Sequence, residues 1–225
     1  MVAQRLSVVI PALNEAGVIR AALEALAPLR ARGHEVIVAD GGSEDATAQI
    51  AAAMCDRVVL AARGRAAQMN AGARAAGGDA YVFLHVDTRL PVLADELILD
   101  SLQTRSWGRF DVEIDGRHWM LKAVACAMNL RSRLTGIATG DQAIFVRRDA
   151  FCGFPEIALM EDVAFSKAMK RSARPACLRS RVVTSGRRWE AHGVLRTIVL
   201  MWRLRLMYLL GARPSDLAKR YIDER

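Results

Sequence analysis

The chain has 225 residues, with 32 Lys and Arg against 24 Asp and Glu and a formal net charge of +8. At 52% hydrophobic and 25% charged residues the composition excludes a disordered chain, and the length suits one large or two small domains. The charge is uneven: residues 170–225 hold 14 basic and 4 acidic side chains and residues 1–169 hold 18 and 20, so the excess marks a basic C-terminal element and needs no nucleic acid to explain it.

LSVVI at residues 6–10 is a short β-branched run, the pattern of a strand buried on both faces of a parallel sheet, and Pro11 is expected to end it. Residues 16–29 have helical spacing, and Arg32, Gly33 and His34 turn the chain into EVIVAD at 35–40, a second buried strand. A helix over 45–53 and a strand over 57–60 follow. A helix over 65–76 is closed by Gly77 and Gly78, and AYVFLH at 80–85 is a fourth strand. This alternation predicts an α/β fold with a mainly parallel sheet and right-handed crossovers. Beyond Pro91 come a helix over 92–103, a strand over 108–114, a helix over 119–134 and a strand over 142–146. A helix holding Glu161 and Asp162, a strand near 179–184 and a basic amphipathic helix complete the chain. With no repeat or linker, we expect one domain over 1–190 and a C-terminal extension over 191–225.

The start, MVAQRLSVVIPALNE, lacks the shape of a signal peptide, and no uncharged apolar run approaches the ~18 residues of a membrane span. A cytoplasmic location is expected. The cysteines Cys55, Cys126, Cys152 and Cys177 form no Cys-x-x-Cys pair, and a reduced, structural role is expected for each.

In open α/β sheets ligands bind beyond the carboxyl ends of the strands. There this sequence places Asn14 and Glu15, then Asp40, Gly41, Gly42 and Ser43, then Arg63, Gly64 and Arg65, then His85, Val86 and Asp87. Each has a structural alternative: Asp40 and Asp87 can cap turns, Glu15 can favour a helix N-terminus, and Gly64 with Arg65 can form a plain turn. Four such strand ends at one sheet edge point to a ligand. PALNEAG after the first strand is not a Gly-x-Gly-x-x-Gly turn, which stands against a dinucleotide fold, and no Walker motif occurs, which excludes P-loop chemistry. What remains is a nucleotide held by scattered side chains, its phosphates bridged by a divalent cation for which His85 and Asp87 are suited.

LSVVIPALNE, VIVADGGSEDAT, GRAAQMNAG and FLHVDTRLP together closely resemble the inverting family-two glycosyltransferases of the GT-A fold, in a small bacterial branch whose metal motif reads His-x-Asp. The resemblance runs from residue 6 to about 189. It implies that Pro11, Asn14, Glu15 and Asp40 hold the nucleoside, and that Gly64 and Arg65 approach the donor. Asp87 would bind Mg²⁺ or Mn²⁺ on the donor diphosphate, with His85 where an Asp usually stands. By the same resemblance Glu161 and Asp162 match the family's acidic pair, with Asp162 as general base. Asp141 and Gln142 lie where the family contacts the transferred sugar, a plain turn being the alternative. Ser185, Gly186, Arg187, Arg188 and Trp189 resemble the Gln-x-x-Arg-Trp motif of processive synthases with Ser in place of Gln, leaving a cation for the diphosphate and an aromatic platform for the acceptor. The implied reaction is sugar transfer from a nucleoside-diphosphate sugar, a UDP-sugar first, to an acceptor hydroxyl, a lipid among the options. A nucleotidyltransferase, or an inactive nucleotide-binding or membrane-docking module of the same fold, is the alternative. In the basic quarter, Val194, Leu195, Ile198, Val199, Trp202, Leu206, Leu209 and Leu210 recur at helical spacing among Arg196, Arg203 and Arg205. Such a helix can pack on the domain or on a second subunit, or lie on an anionic membrane at the inner face.

Overall fold

Strands that read as unbroken apolar runs are the ones this fold buries on both faces. The computed structural model describes residues 4–223, without the side chains of residues 188, 222 and 223. In β1 (Leu6–Ala12), Leu6, Val8 and Ile10 enter one apolar cluster and Val9 enters the other, on the opposite face of the sheet. β2 (Glu35–Asp40) divides in the same way, Val36 and Val38 against Ile37. Helix α1 (Ala16–Ala31) covers the first face with Ile19, Leu23, Leu26 and Leu29. After α2 (Thr47–Ala52) and β3 (Arg57–Leu60), α3 (Arg65–Ala75) covers the second face with Ala66, Met69 and Ala73.

Small side chains let α3 lie close on β1. A Cβ added at Gly72 would come within 2.3 Å of Val9 Cγ1. Gly72→Ala is therefore expected to destabilise the fold by about 1–3 kcal/mol, read as a lower urea midpoint with an unchanged slope.

The chain then returns to the middle. β4 (Ala80–Phe83) pairs with β1, and all four strands to this point are parallel. The rest adds β5 (Thr88–Arg89), α4 (Ala94–Ser101), β6 (Trp107–Asp115), α5 (Met120–Thr135), β7 (Ile144–Arg147), α6 (Glu161–Ser172) and β8 (Ala176–Ser185). One eight-stranded sheet results, in the order β3-β2-β1-β4-β7-β6-β8-β5. β7 is antiparallel to both β4 and β6, β8 is parallel to β6, and β5 is antiparallel to β8. The order reverses between β1 and β4, a switch point where a crevice opens at the strand ends.

Three expectations are corrected. Pro11 does not end the first strand, which runs on to Ala12 with Pro11 opposite Ala39. The C-terminal element is three helices, α7 (Arg187–His192), α8 (Val194–Leu209) and α9 (Pro214–Asp223). The cysteines are free but none is buried, and Cys126 and Cys152 are exposed. The C-terminal helices pack on the domain: Leu200 and Leu204 of α8 and Leu217 of α9 cluster with Met160 and Val163 at the start of α6. No helix among the described residues is long and apolar enough to cross a membrane.

Candidate active site

The crevice at the end of β4 is lined by Arg65 and Met69 from α3, Phe83 and His85 from the β4 end, Gly140, Ile144 and Phe154, and Glu161 and Asp162 from the start of α6. Its floor is aromatic. Phe83, Phe154 and Phe165 pack ring on ring, with Phe154 stacked on Phe165 at 4.4 Å. Asn70 fixes Phe154 from α3, its Nδ2 donating to the Phe154 carbonyl and its Oδ1 accepting from the Phe154 N–H, both at 2.8 Å. The segment leading into α6 is thereby tied to α3 across the cleft.

Asp162 is the half-buried carboxylate of this cleft. Its Oδ2 accepts from the Gly140 N–H at 3.0 Å and its Oδ1 from the Val163 N–H at 2.7 Å. Burial, with the neighbouring Glu161 carboxylate adding to it, pushes the Asp162 pKa up to about 6, against the opposing pull of the Gly140 N–H and Arg65. Glu161 is buried and faces the Arg65 guanidinium at 3.5 Å. Met160, just before this pair, holds the left-handed conformation at φ +70°. A non-glycine residue there stores strain that packing must sustain, and the cluster of Met160 with Leu200, Leu204 and Leu217 supplies that packing.

Across the cleft, His85 Nδ1 lies 3.2 Å from Asp141 Oδ1, and His85 Nε2 is buried without a partner among the described residues. A Cβ at Gly140 would come within 2.3 Å of that nitrogen, so only glycine fits between His85 and Asp162. Two residues on, the Asp87 carbonyl accepts from the Ser185 N–H at 3.2 Å, and Thr88 Oγ1 donates to Thr184 Oγ1 at 3.0 Å. The start of the Ser185–Trp189 motif is thus pinned beside Asp87. No hydrogen bond reaches the Asp87 carboxylate from the described residues, which leaves it open to a cation. Among the described residues no three His, Cys, Asp or Glu side chains converge. This donor set fits a hard cation held by one carboxylate together with substrate phosphates and water. Asp87 fits that role, whereas His85 is turned toward Asp141 and Gly140.

The other predicted residues divide. Asp40 is buried and caps its own turn, Oδ2 accepting from the Gly42 and Ser43 N–H groups at 3.0 and 2.9 Å. Asn14, at φ +54°, joins the first two strand ends, its Oδ1 accepting from the Glu44 N–H at 2.8 Å. Glu15 heads α1, its N–H donating to Thr47 Oγ1 at 2.7 Å. Pro11 is half-buried in β1, and Gly64, at φ +129°, starts α3 and aims Arg65 at Glu161. Gln142 is corrected: it is fully buried, its Oε1 accepting from the Thr139 N–H at 3.2 Å and its Nε2 donating to the Phe110 carbonyl at 3.5 Å, so it braces the loop and does not reach a sugar. Asp141 stays at the cleft. Trp189 is half-buried and packs against the main core. Arg187 is exposed and bonds Ser185 Oγ at 3.1 Å, and the Arg188 side chain lies outside the described residues.

Sequence reasoning missed two residues. Gln68 donates to the carbonyls of Ala12 and Ala39 at 2.6 and 3.1 Å and locks the ends of β1 and β2 together. Arg131 on α5 carries buried Nε and Nη2 atoms without partners among the described residues, and burial lowers its pKa against the pull of Asp162 and Asp141. The signal for it was an arginine continuing the half-buried helical row Met120, Val124, Met128.

The fold, a mostly parallel sheet flanked by helices, matches that of the GT-A glycosyltransferases. The crystal structure of S. aureus TarS 1–349 superposes with a TM-score of 0.65 at 19% identity, over 87% of this chain and 64% of that one. Its complex with UDP-GlcNAc gives 0.64 at 19% identity, over 81% and 58%. Glucosyl-3-phosphoglycerate synthase from Mycobacterium tuberculosis, solved with Mn²⁺, UDP and glucosyl-3-phosphoglycerate, gives 0.61 at 21% identity, over 80% and 71%. The chain therefore spans just under two thirds of the TarS fragment. The model of glycosyl transferase family 2 matches residues 7–154, and the chain belongs to that family. No curated protein matches the sequence. The family match stops short of Asp162.

Proposed function

We propose that the chain is an inverting glycosyltransferase that moves a sugar from a UDP-sugar to an acceptor hydroxyl, with Asp162 as general base and Asp87 holding a divalent cation. The observation that carries this reading is the Asp162 carboxylate, held in the cleft by two backbone N–H groups with its pKa raised to about 6. A base poised near neutral pH is what proton removal from an alcohol requires. Further support comes from the similar structures, solved with UDP and Mn²⁺ or Mg²⁺ and with UDP-GlcNAc.

Inversion in one in-line displacement needs no protein nucleophile. The acceptor oxygen bonds the anomeric carbon, the bond from that carbon to the diphosphate breaks, and the leaving diphosphate keeps the electron pair. Asp162 takes the proton from the acceptor hydroxyl. Glu161 keeps Arg65 in place, and its charge in turn raises the basicity of Asp162. A cation at Asp87 would supply charge stabilisation to the departing diphosphate. PALNEAG, with no glycine-rich basic cradle for a triphosphate, stands against nucleotidyl transfer.

A melting panel with UDP, GDP and UTP, with and without Mn²⁺, tests the donor class. Stabilisation by UDP that requires Mn²⁺ is expected, about 2.7 kcal/mol at a hundredfold excess over Kd. No shift with any diphosphate and any metal would refute the reading.

A further inference from the structure

Helix α8 has two apolar faces, and the described residues cover only one of them. Val194, Leu200 and Leu204 are buried against the domain. Leu195, Val199, Trp202, Leu206 and Leu209 recur at intervals of four and three residues, one continuous stripe, and each is 58–74% exposed. Leu210 prolongs the stripe at 78% exposure. Isolated apolar residues on a surface are ordinary, but a row of large ones along a single helix marks a contact surface. We propose that this stripe docks the protein flat on an anionic lipid bilayer.

Charge selects that occupant. Residues 191–215 contain no Asp or Glu, while Arg196, Arg203 and Arg213 stand exposed along and beyond the stripe, with Lys219 and Arg220 on α9. A second copy docked on this face through a two-fold axis would bring together two helices that each carry arginines and no Asp or Glu. An anionic surface complements the same residues, at about fivefold in partition for each Lys or Arg brought near it. Trp202 at mid-stripe suits the headgroup boundary, where an indole places its ring in the apolar layer and its N–H in the wet one. At the start of the helix an open groove is lined by Arg117, His118, Leu195 and Arg196. The carboxylate of Glu190 in that groove is engaged by the backbone, accepting from the Arg117 and His118 N–H groups at 2.6 and 3.1 Å. The other side of α8 packs on Met160 and Val163, so docking holds the start of α6 about one helix diameter, ~10 Å, above the lipid.

Flotation of the full chain with vesicles of phosphatidylcholine alone, or of phosphatidylcholine with phosphatidylglycerol, is the test. Binding to the anionic vesicles should exceed that to neutral ones by at least about tenfold, and should weaken at about 1 M salt, where the Debye length is about 3 Å. The double variant Trp202→Glu with Leu206→Glu should fall to the neutral-vesicle level at an unchanged melting temperature, both positions being exposed. Absence of vesicle binding by the unaltered chain, or equal binding by the variant, would overturn the proposal. So would a dimer in light scattering that the variant dissolves while neither protein floats, since the stripe would then be covered by a second copy. Sugar transfer is not read in this experiment, so failure of the transferase reading would leave its result standing.

Discussion

Asp162→Asn is expected to bind UDP as the unaltered protein does and to transfer sugar about 100- to 10,000-fold more slowly. The asparagine keeps the size of the side chain and can still accept one of the two N–H bonds from Gly140 and Val163, so the loop and the start of α6 stay in place. What it loses is the ability to take a proton. In the unaltered protein the rate should rise with pH through about 6 as one group ionises, and the residual rate of the variant should not show that limb. Stability follows from the same shift. An acid whose pKa is about 6 folded and 3.8 unfolded binds more protons in the folded state between those values, so Asp162 penalises the fold fully above about pH 6 and progressively less as pH falls toward 3.8. The variant should therefore gain melting temperature relative to the unaltered protein at about pH 8 and lose that advantage near about pH 4. Near-normal turnover at neutral pH would remove Asp162 from the role of base.

That residue shows where sequence reading succeeds and stops. Parallel strands buried on both faces print as continuous apolar runs, so β1, β2 and β4 were legible, and the sheet edge they create located the crevice. Pro11 misled because a proline usually breaks a ladder. Beyond Val9, however, β1 has only β2 as a neighbour, and the N–H that proline lacks faces the side β4 has left. Glu161 and Asp162 were legible only through resemblance. The raised pKa arises from burial of the carboxylate in the folded cleft, with the Glu161 charge adding to it and the N–H of Gly140, 22 residues away, opposing it, and no local pattern encodes that burial. Gln142 was misplaced because a glycine-spaced loop reads as solvent-facing, whereas Thr139 and Gln142 close a reciprocal cap that turns the amide inward. In α8 the apolar spacing predicted the helix correctly, but packing and exposure both fit a helix that is apolar on two faces. The structure shows one face on each side of that choice.

Asp87→Asn is expected to leave the fold intact and to remove the Mn²⁺-dependent part of UDP binding, with transfer falling about 100- to 1,000-fold. The fold is spared because what fixes this position is backbone: the Asp87 carbonyl accepts from the Ser185 N–H, and Thr88 pairs with Thr184 in the β5–β8 ladder. The Asp87 side chain takes no part in those bonds, so its melting temperature without ligand should stay within about 1 °C of the unaltered value, as for a surface substitution away from packing. The loss in binding follows from charge. A hard cation gains most from an anionic oxygen, and an amide in the same place offers a dipole where the carboxylate offers a full charge. Asp40 supplies the contrast. Its carboxylate caps the turn through Gly42 and Ser43, so Asp40→Ala should lower the melting temperature even in the absence of nucleotide. If Asp87→Asn instead retained the full Mn²⁺-dependent shift with UDP, the cation would have to be held elsewhere. Asp141, half-buried at the cleft beside His85, would then be the carboxylate to replace next.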